Sequence, residues 1–573
     1  MTPAPPPTAP PGRVPGPLQR RTARTAARNV TRTATGAAAR AATRTATRTA
    51  TRAAACAAAV ALLLTACGPD GDGPKGSHHG GKTAAGAVRT PTATAPVPHG
   101  KGSRLPDDLN GDGYPDLQLP VASGKVGLPS RIAFVHGSAD GLDPATRTVL
   151  GHKALGLPSD DVTVAGATEV ATADLDGDGY ADVTTTAGER LGKRETARVH
   201  ATVRTVPYVS WGGPGGPRQT RSAARVQLTG PEDGVDPQRP TVGDFNGDGH
   251  HDLALVRADR HSLLLLYGPF NRAGKAARTV PYDSPLHEKR GEIGDLVADR
   301  IDGHRATDLV VHTLNDDEQS SSTLLTATRH GLSSTGRRLR EGNAITFGDF
   351  DGDGRRDVAV GDSGTRNTEP GDETEKPDIG KTVSVYTKGA AHRTGSFPYR
   401  FKIPKMSGAL AAADTDGDGT DELAVSLGRG GVELLTLRSG SSPRSKSSST
   451  SSSTSSSSSS EGLDGIARRH TLTRAVPARV DGKTVRKGGR AARLYGVADF
   501  DHDGKDEVVL AWGRGLAFSR YGERPERWWI TDGAADETAF TSKPFAADGH
   551  RHAQADGKAA GTADDKATGT AHD

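Results

Sequence analysis

The sequence predicts an all-β protein, a seven-bladed β-propeller of four-stranded antiparallel blades. Three observations predict it. A nine-residue acidic string recurs along the chain, its copies fall at blade-like intervals, and short alternating or apolar runs fill the gaps between them.

The strings are DLNGDGYPD (Asp108 to Asp116), DLDGDGYAD (Asp174 to Asp182), DFNGDGHHD (Asp244 to Asp252), DFDGDGRRD (Asp349 to Asp357), DTDGDGTDE (Asp414 to Glu422) and DFDHDGKDE (Asp499 to Glu507). A degenerate copy, DRIDGHRATD, runs from Asp299 to Asp308. The starts at 108, 174, 244, 299, 349, 414 and 499 are therefore 66, 70, 55, 50, 65 and 85 residues apart. The widest gap contains a Ser-rich insertion, residues 439–460, which accounts for its excess. Each string leads into a strand-like run: LQLPV, VTTTA, LALVR, LVVHT, VAVGD, LAVSL and VVLAW. A second run ending in a glycine turn often follows, as in YVSWGGPGG and LLLLYGPF, and a last short strand precedes the next string. Four strands per repeat make one sheet, and seven sheets in a ring hide the edges that a row would leave open.

Composition agrees. Only 34% of the chain is hydrophobic and 4% aromatic, while glycine (73) and proline (36) are frequent, which suits short strands and turns better than a helical bundle. The net charge of +4 misleads, because residues 1–66 carry ten arginines and no Lys, Asp or Glu. The rest holds 63 basic against 69 acidic residues, or −6, which argues against nucleic acid as a partner.

Residues 1–66 read as a long basic secretory leader ending in the apolar run AAACAAAVALLL, too short for a permanent span. The string Leu64-Thr65-Ala66-Cys67 resembles the lipobox of bacterial lipoproteins, which implies lipidation of Cys67 and anchoring to the outer face of the cell membrane. The leader's unusual length fits a misassigned start codon for its first thirty or so residues, and Arg20-Arg21 lies too far from the apolar core for a twin-arginine signal. With Cys56 removed and Cys67 acylated, the mature chain has no thiol and no disulfide. Residues 67–104 read as a flexible stalk, 105–532 as the propeller and 546–573 as a disordered tail.

The strings have the chemistry of a hard-cation loop. Position one is Asp108, Asp174, Asp244, Asp349, Asp414 and Asp499; position three is Asn110, Asp176, Asn246, Asp351, Asp416 and Asp501. Position five is Asp112, Asp178, Asp248, Asp353, Asp418 and Asp503; position nine is Asp116, Asp182, Asp252, Asp357, Glu422 and Glu507. Glycine stands at six. Calcium takes six to eight oxygens on this spacing, with a main-chain carbonyl at seven. Position seven holds Tyr114, Tyr180, His250, Arg355, Thr420 and Lys505, side chains too varied to share a role, as a carbonyl ligand requires. Position twelve is a strand residue (Leu119, Thr185, Leu255, Val360, Val425, Leu510), so the loop joins two strands and is not an EF-hand. Metal-free Asx turns are the bland alternative. About six calcium sites are expected, the degenerate fourth blade folding without metal.

FGDFDGDGRRDVAVG and VGDFNGDGHHDLAL, the second with a later YG turn, resemble FG-GAP repeats of the integrin α-subunit head and the related VCBS-type repeats of bacterial proteins. The resemblance covers roughly residues 105–532 and implies a seven-bladed propeller with calcium in hairpin loops. It does not fix a function. No HExxH, P-loop or GxSxG occurs; Gly361-Asp362-Ser363-Gly364 reads as a turn, His78-His79 as solvated, His250 and His251 as backbone and surface, and Trp211, Trp512, Trp528 and Trp529 as strand or core. The expected function is a monomeric, non-catalytic surface module for an unknown protein or glycan ligand. An extracellular polysaccharide lyase or hydrolase on the same ring, marked by extra acids, His or Tyr in the central channel, is the competitor. An envelope scaffold is a third reading.

Overall fold

The computed structural model describes residues 88–548 apart from 122–130, 159–169, 200, 215, 218–221, 229–233, 237–239, 288–290, 302, 315–318, 365–378, 388–398, 439–464 and 514–524. The leader, Cys67, His78-His79 and the Ser-rich insertion lie outside the described residues.

Each repeat becomes an antiparallel meander. Blade three shows the pattern: Thr241–Gly243, then the acidic loop, then Asp252–Val256, Leu263–Tyr267 and Arg278–Tyr282, each strand paired with the next. Its two middle strands are buried on both faces, which is why they read as unbroken apolar runs. Among the described residues six blades have four strands. Blade one has three, Leu117–Val121, Arg131–Val135 and Arg147–Gly151; its innermost place is taken by irregular chain around Asp107, whose carbonyl accepts the Asp116 amide at 2.9 Å.

Closure of the ring follows from the core. Seven buried apolar clusters are present among the described residues, and each straddles two neighbouring blades; an open row of seven sheets would have six such interfaces. The cluster joining blades seven and one contains Phe500, Trp528 and Phe540 together with Leu117 and Val135.

Position two of the acidic loop is the recurring plug. Leu109, Leu175, Phe245, Phe350 and Phe500 are buried there, as is Ile301, third in the degenerate string but seven residues before its closing Asp308, and each sits in the cluster shared with the following blade. In blade six the residue is Thr415, whose hydroxyl instead donates to Glu422 at 2.9 Å. Phe350→Ala is expected to cost about 3–5 kcal/mol through lost burial and an unfilled cavity. A lower urea midpoint with an unchanged slope is the expected reading.

The propeller is longer at both ends than its repeats foretell. Blade seven is completed by Asp536–Thr541, beyond residue 532. Residues expected in the stalk are bound: Arg89 pairs with Phe540 as an added parallel strand residue, donating to Ala539 O and accepting from Thr541 N at 2.8 and 2.9 Å. Ala95 N donates to Ala145 O of blade one. The first residues of the expected tail are bound too. Buried Arg147 of blade one pairs with Asp548 at 2.7 Å and lies over the Phe545 ring, and Arg131 donates to Ala546 O. Both ends of the described chain thus meet at the seam between blades seven and one.

Candidate metal centres in the acidic loops

The loops lie at one end of the ring, between the first and second strands of their blades. Burial grades outward through each: positions one and nine are mostly buried, position three mostly half-buried and position five mostly exposed. Backbone geometry demands the glycines. Position six has positive φ throughout, from 81° at Gly354 to 97° at Gly113, and the position-four glycines lie at 69° to 79°. In blade seven His502 adopts φ 59° at position four, its ring tilted against Tyr114.

The carboxylates are held by amides. Asp108 accepts from Gly111 and Gly113, both at 2.7 Å, and Asp112 accepts from Tyr114 at 3.1 Å. Asp174 and Asp414 repeat the pattern with Gly177 and Gly179, and with Gly417 and Gly419. These are Asx-type turns, and they aim the side-chain oxygens inward.

Position nine has a second task that the sequence reading missed. Its carboxylate clasps the amide of position two, as Asp252 does with Phe245 (2.8 Å) and Glu507 with Phe500 (2.7 Å). The other oxygen accepts the amide of a glycine ending the third strand: Gly137 for Asp116, Gly212 for Asp182 and Gly268 for Asp252. A Cβ on any of these glycines would collide with the carbonyl of position eight, which explains the recurring WG and YG turns. Burial is the leading cause that pushes these carboxyls up, Asp182 and Asp357 to about 8, Asp252 to about 7 and Glu507 to about 9. Glu422 is raised for the same reason.

Several loops fit a hard cation. One oxygen each from Asp499, Asp501, Asp503 and Glu507 lies within 4.8 Å of the others, and so do those of Asp174, Asp176 and Asp182. Asp349, Asp351 and Asp353, and Asp414, Asp416 and Asp418, converge likewise. Loops one and three carry Asn110 and Asn246 at position three, each donating to the position-five carboxylate at 2.9 Å. Asn110 is fully buried beneath the amino-terminal segment, with Pro98 O accepting its amide. Its Oδ1, and Oδ1 of Asp357, are buried without a hydrogen-bond partner among the described residues, as a ligand oxygen would be.

Position eight was not singled out in the sequence, and it knits the ring. Asp506 of blade seven accepts the Asp414 amide at 2.9 Å and returns its own amide to Asp414 O at 2.8 Å. Asp421 does the same with Asp349, and Thr307 with Asp244. His251 bonds through Nδ1 to Asp174 O at 3.0 Å, so it is an inter-blade clasp and not a surface residue. Burial lowers its pKa. The signal was a polar residue at position eight in five of the copies, with a partner one blade away.

Among the described residues three arginines reach acidic-loop carboxylates, the most exposed being Arg468, 3.7 Å from Asp416 in blade six. Arg356, at position eight of blade five, places Nε 2.8 Å from Asp299 Oδ2 in the degenerate fourth loop and donates to Phe347 O. The position-nine clasp survives there, Asp308 accepting from Ile301 and Ala327. The blade folds as expected, with guanidinium against its first carboxylate. Arg272 of blade three reaches Asp176 and Asp178 in the second loop, at 2.5 and 2.6 Å.

The central channel is lined from all seven blades, by loop residues including Asp116, Asp244, His251, Asp299 and Arg356. Outside the loops its polar lining among the described residues includes Arg104, Asp107, Gln118 and Tyr495. Tyr495 donates to Gln118 O and packs edge-on to Trp528. Trp512 and Trp528 also have their ring N–H groups bonded internally, and Asp362 of the GDSG string accepts from Gly364 and Lys381 as a turn residue.

The FG-GAP repeat family matches residues 166–200, the span that holds the second acidic loop. No curated protein matches the chain. A solved structure titled "Crystal structure of BBS1N in complex with ARL6DN, soaked with mercury" aligns over 80% of this chain and 96% of that chain, at 13% identity and a TM-score of 0.33.

Proposed function

We propose, from the premise that the chain is an integrin-α-like, seven-bladed β-propeller carrying FG-GAP repeats, that it is a non-catalytic binding module stabilised by calcium and anchored at the bacterial cell surface through Cys67. A binding or adhesion role is what such a propeller supports in general. The observation that carries the calcium reading is the convergence of carboxylate oxygens within 4.8 Å in the loops of blades five, six and seven, most completely in blade seven, where Asp499, Asp501, Asp503 and Glu507 all take part. Positions one, three, five and nine, with the carbonyl at seven, would hold the ion. Its charge would offset carboxyls that burial otherwise drives towards protonation.

The channel supports the non-catalytic reading. Its Tyr495 hydroxyl is committed to a main-chain carbonyl, and the loop acids on its wall hold backbone amides or the neighbouring blade. An acid–base pair free of structural duty is what the competing hydrolase or lyase requires. Among the described residues no helix is long and apolar enough to cross a membrane.

Capture from solubilised cell envelope tests the reading. A protein or glycan retained with millimolar calcium and released by chelator is the expected result. Turnover of a polysaccharide or phospholipid that disappears on substituting a channel residue would overturn it. Cys67→Ser should move the chain from the detergent phase to the aqueous phase in a Triton X-114 partition.

A further inference from the structure

The second acidic loop matches the spacing of the others, yet its cation position is contested from within the chain. Arg272 lies in the turn between the third and fourth strands of blade three, and that turn overlies the second loop. Its backbone is tightly set. Phe270 N donates to Leu175 O at 2.8 Å, Asn271 exchanges hydrogen bonds across the turn with Lys275 and Gly274, and Trp211 Nε1 donates to Arg272 O at 3.1 Å. The guanidinium lies 5.7 Å from the Trp211 ring centroid, a cation–π arrangement that limits its rotamers.

Most carboxylate oxygens of the loop are already engaged by its own amides. Asp174 has both oxygens on amides, Oδ1 on Gly177 and Asp178 and Oδ2 on Gly179. Asp176 Oδ1 accepts the Asp178 amide, and Asp178 Oδ1 accepts the Tyr180 amide. The remaining oxygens, Oδ2 of Asp176 and Oδ2 of Asp178, are the two that face Arg272, at 2.5 and 2.6 Å. A fork-shaped cation held from the neighbouring blade thus bridges positions three and five, where a metal ion would draw its outer ligands. The degenerate fourth loop shows the same substitution further advanced, with Arg356 of the next blade on Asp299.

We infer that Arg272 is a built-in counter-ion that excludes divalent cations from the second loop, so that this copy of the repeat is structurally intact but closed to calcium. The inference rests on the calcium reading of the other loops. It makes blade two independent of calcium, whereas loops without such an arginine respond to it.

Native mass spectrometry of the full chain, stripped of metal and titrated with calcium chloride, tests this by counting ions. Arg272→Ala and Arg272→Gln should each bind one calcium more than the parent, and Arg272→Lys, which keeps the charge, should bind the parental number. Asp176→Asn in the parental background should leave the count unchanged, while Asp176→Asn added to Arg272→Ala should remove the extra ion. A count that drops by one with Asp176→Asn alone, or that stays the same in both Arg272→Ala and Arg272→Gln, overturns the inference while leaving calcium binding in place. No bound calcium in any of the proteins overturns the calcium reading and this inference together.

Discussion

Replacing Arg356 by alanine should lower the stability of the propeller by about 3 kcal/mol, the lower end of the range for breaking a buried ion pair because the guanidinium borders the channel. Its partner Asp299 is only 7% exposed in its side chain, and burial already raises its pKa from the usual 3.8 even with the arginine beside it. Without Arg356 the carboxylate has lost the attraction that offsets its desolvation, and its pKa in the folded chain rises further. A raised folded pKa gives stability that is present below the unfolded value near 3.8 and is lost as pH rises through the folded value. The deficit of Arg356→Ala relative to the parent is therefore full at neutral pH and shrinks as pH falls towards 4. Asp299→Asn with Arg356→Met should recover the part of the loss that arises at Asp299, leaving only the weaker attraction to Asp421, 3.9 Å from the guanidinium, unreplaced. Urea melts of the three proteins at pH 5 and pH 7.5 measure all of this. A deficit that is independent of pH would mean that Arg356 acts through packing alone.

Chelation should have the larger effect. A site at one hundred times its dissociation constant adds about 2.7 kcal/mol to folding by mass action, provided that the unfolded chain does not bind. Two such loops already amount to about 5 kcal/mol, which corresponds to a fall in melting temperature on the order of 10 °C on removing the metal. The acidic loops join the innermost strands to the rest of their blades, so the loss is felt across inter-blade clusters and not only at one hairpin. Calorimetry with calcium and with EDTA gives the comparison. An unchanged melt, together with no calcium in elemental analysis, would leave the loops as Asx turns without a metal.

What could be read from the chain alone divides along a physical line. The blades were legible because their signals are local: alternating apolar runs, a glycine at position six that must take positive φ, and apolar position-twelve residues such as Leu255 and Val360 that could only be strand. The convergence of positions one, three and five was legible for the same reason, being set within a single turn. The partners of Asp506, Asp421, His251 and Arg356 were not, because each lies in the previous blade, tens of residues away. Arg272 sits in an ordinary-looking turn, GPFNRAGK, and nothing in those eight residues says that the turn rests on the loop of another repeat. The stalk was misjudged by composition: Arg89 and Ala95 lack apolar periodicity, yet they are bound by main-chain hydrogen bonds that no side-chain pattern reports.

The seam between blades seven and one has a consequence for how the chain is made. Arg147 and Asp548 are 401 residues apart, and Arg89 must wait for Phe540 in the same way. Closing so long a loop is entropically slow, and contacts of this range form late in folding. Six blades can stack as they emerge, but the first is secured only when the last has been delivered. A chain stopped early, or clipped within its final strand, would not be a smaller ring. It would be an open one, with the apolar face of blade one and the cluster around Phe500 and Trp528 laid bare to proteases, so that the seam reports whether synthesis went past the last strand.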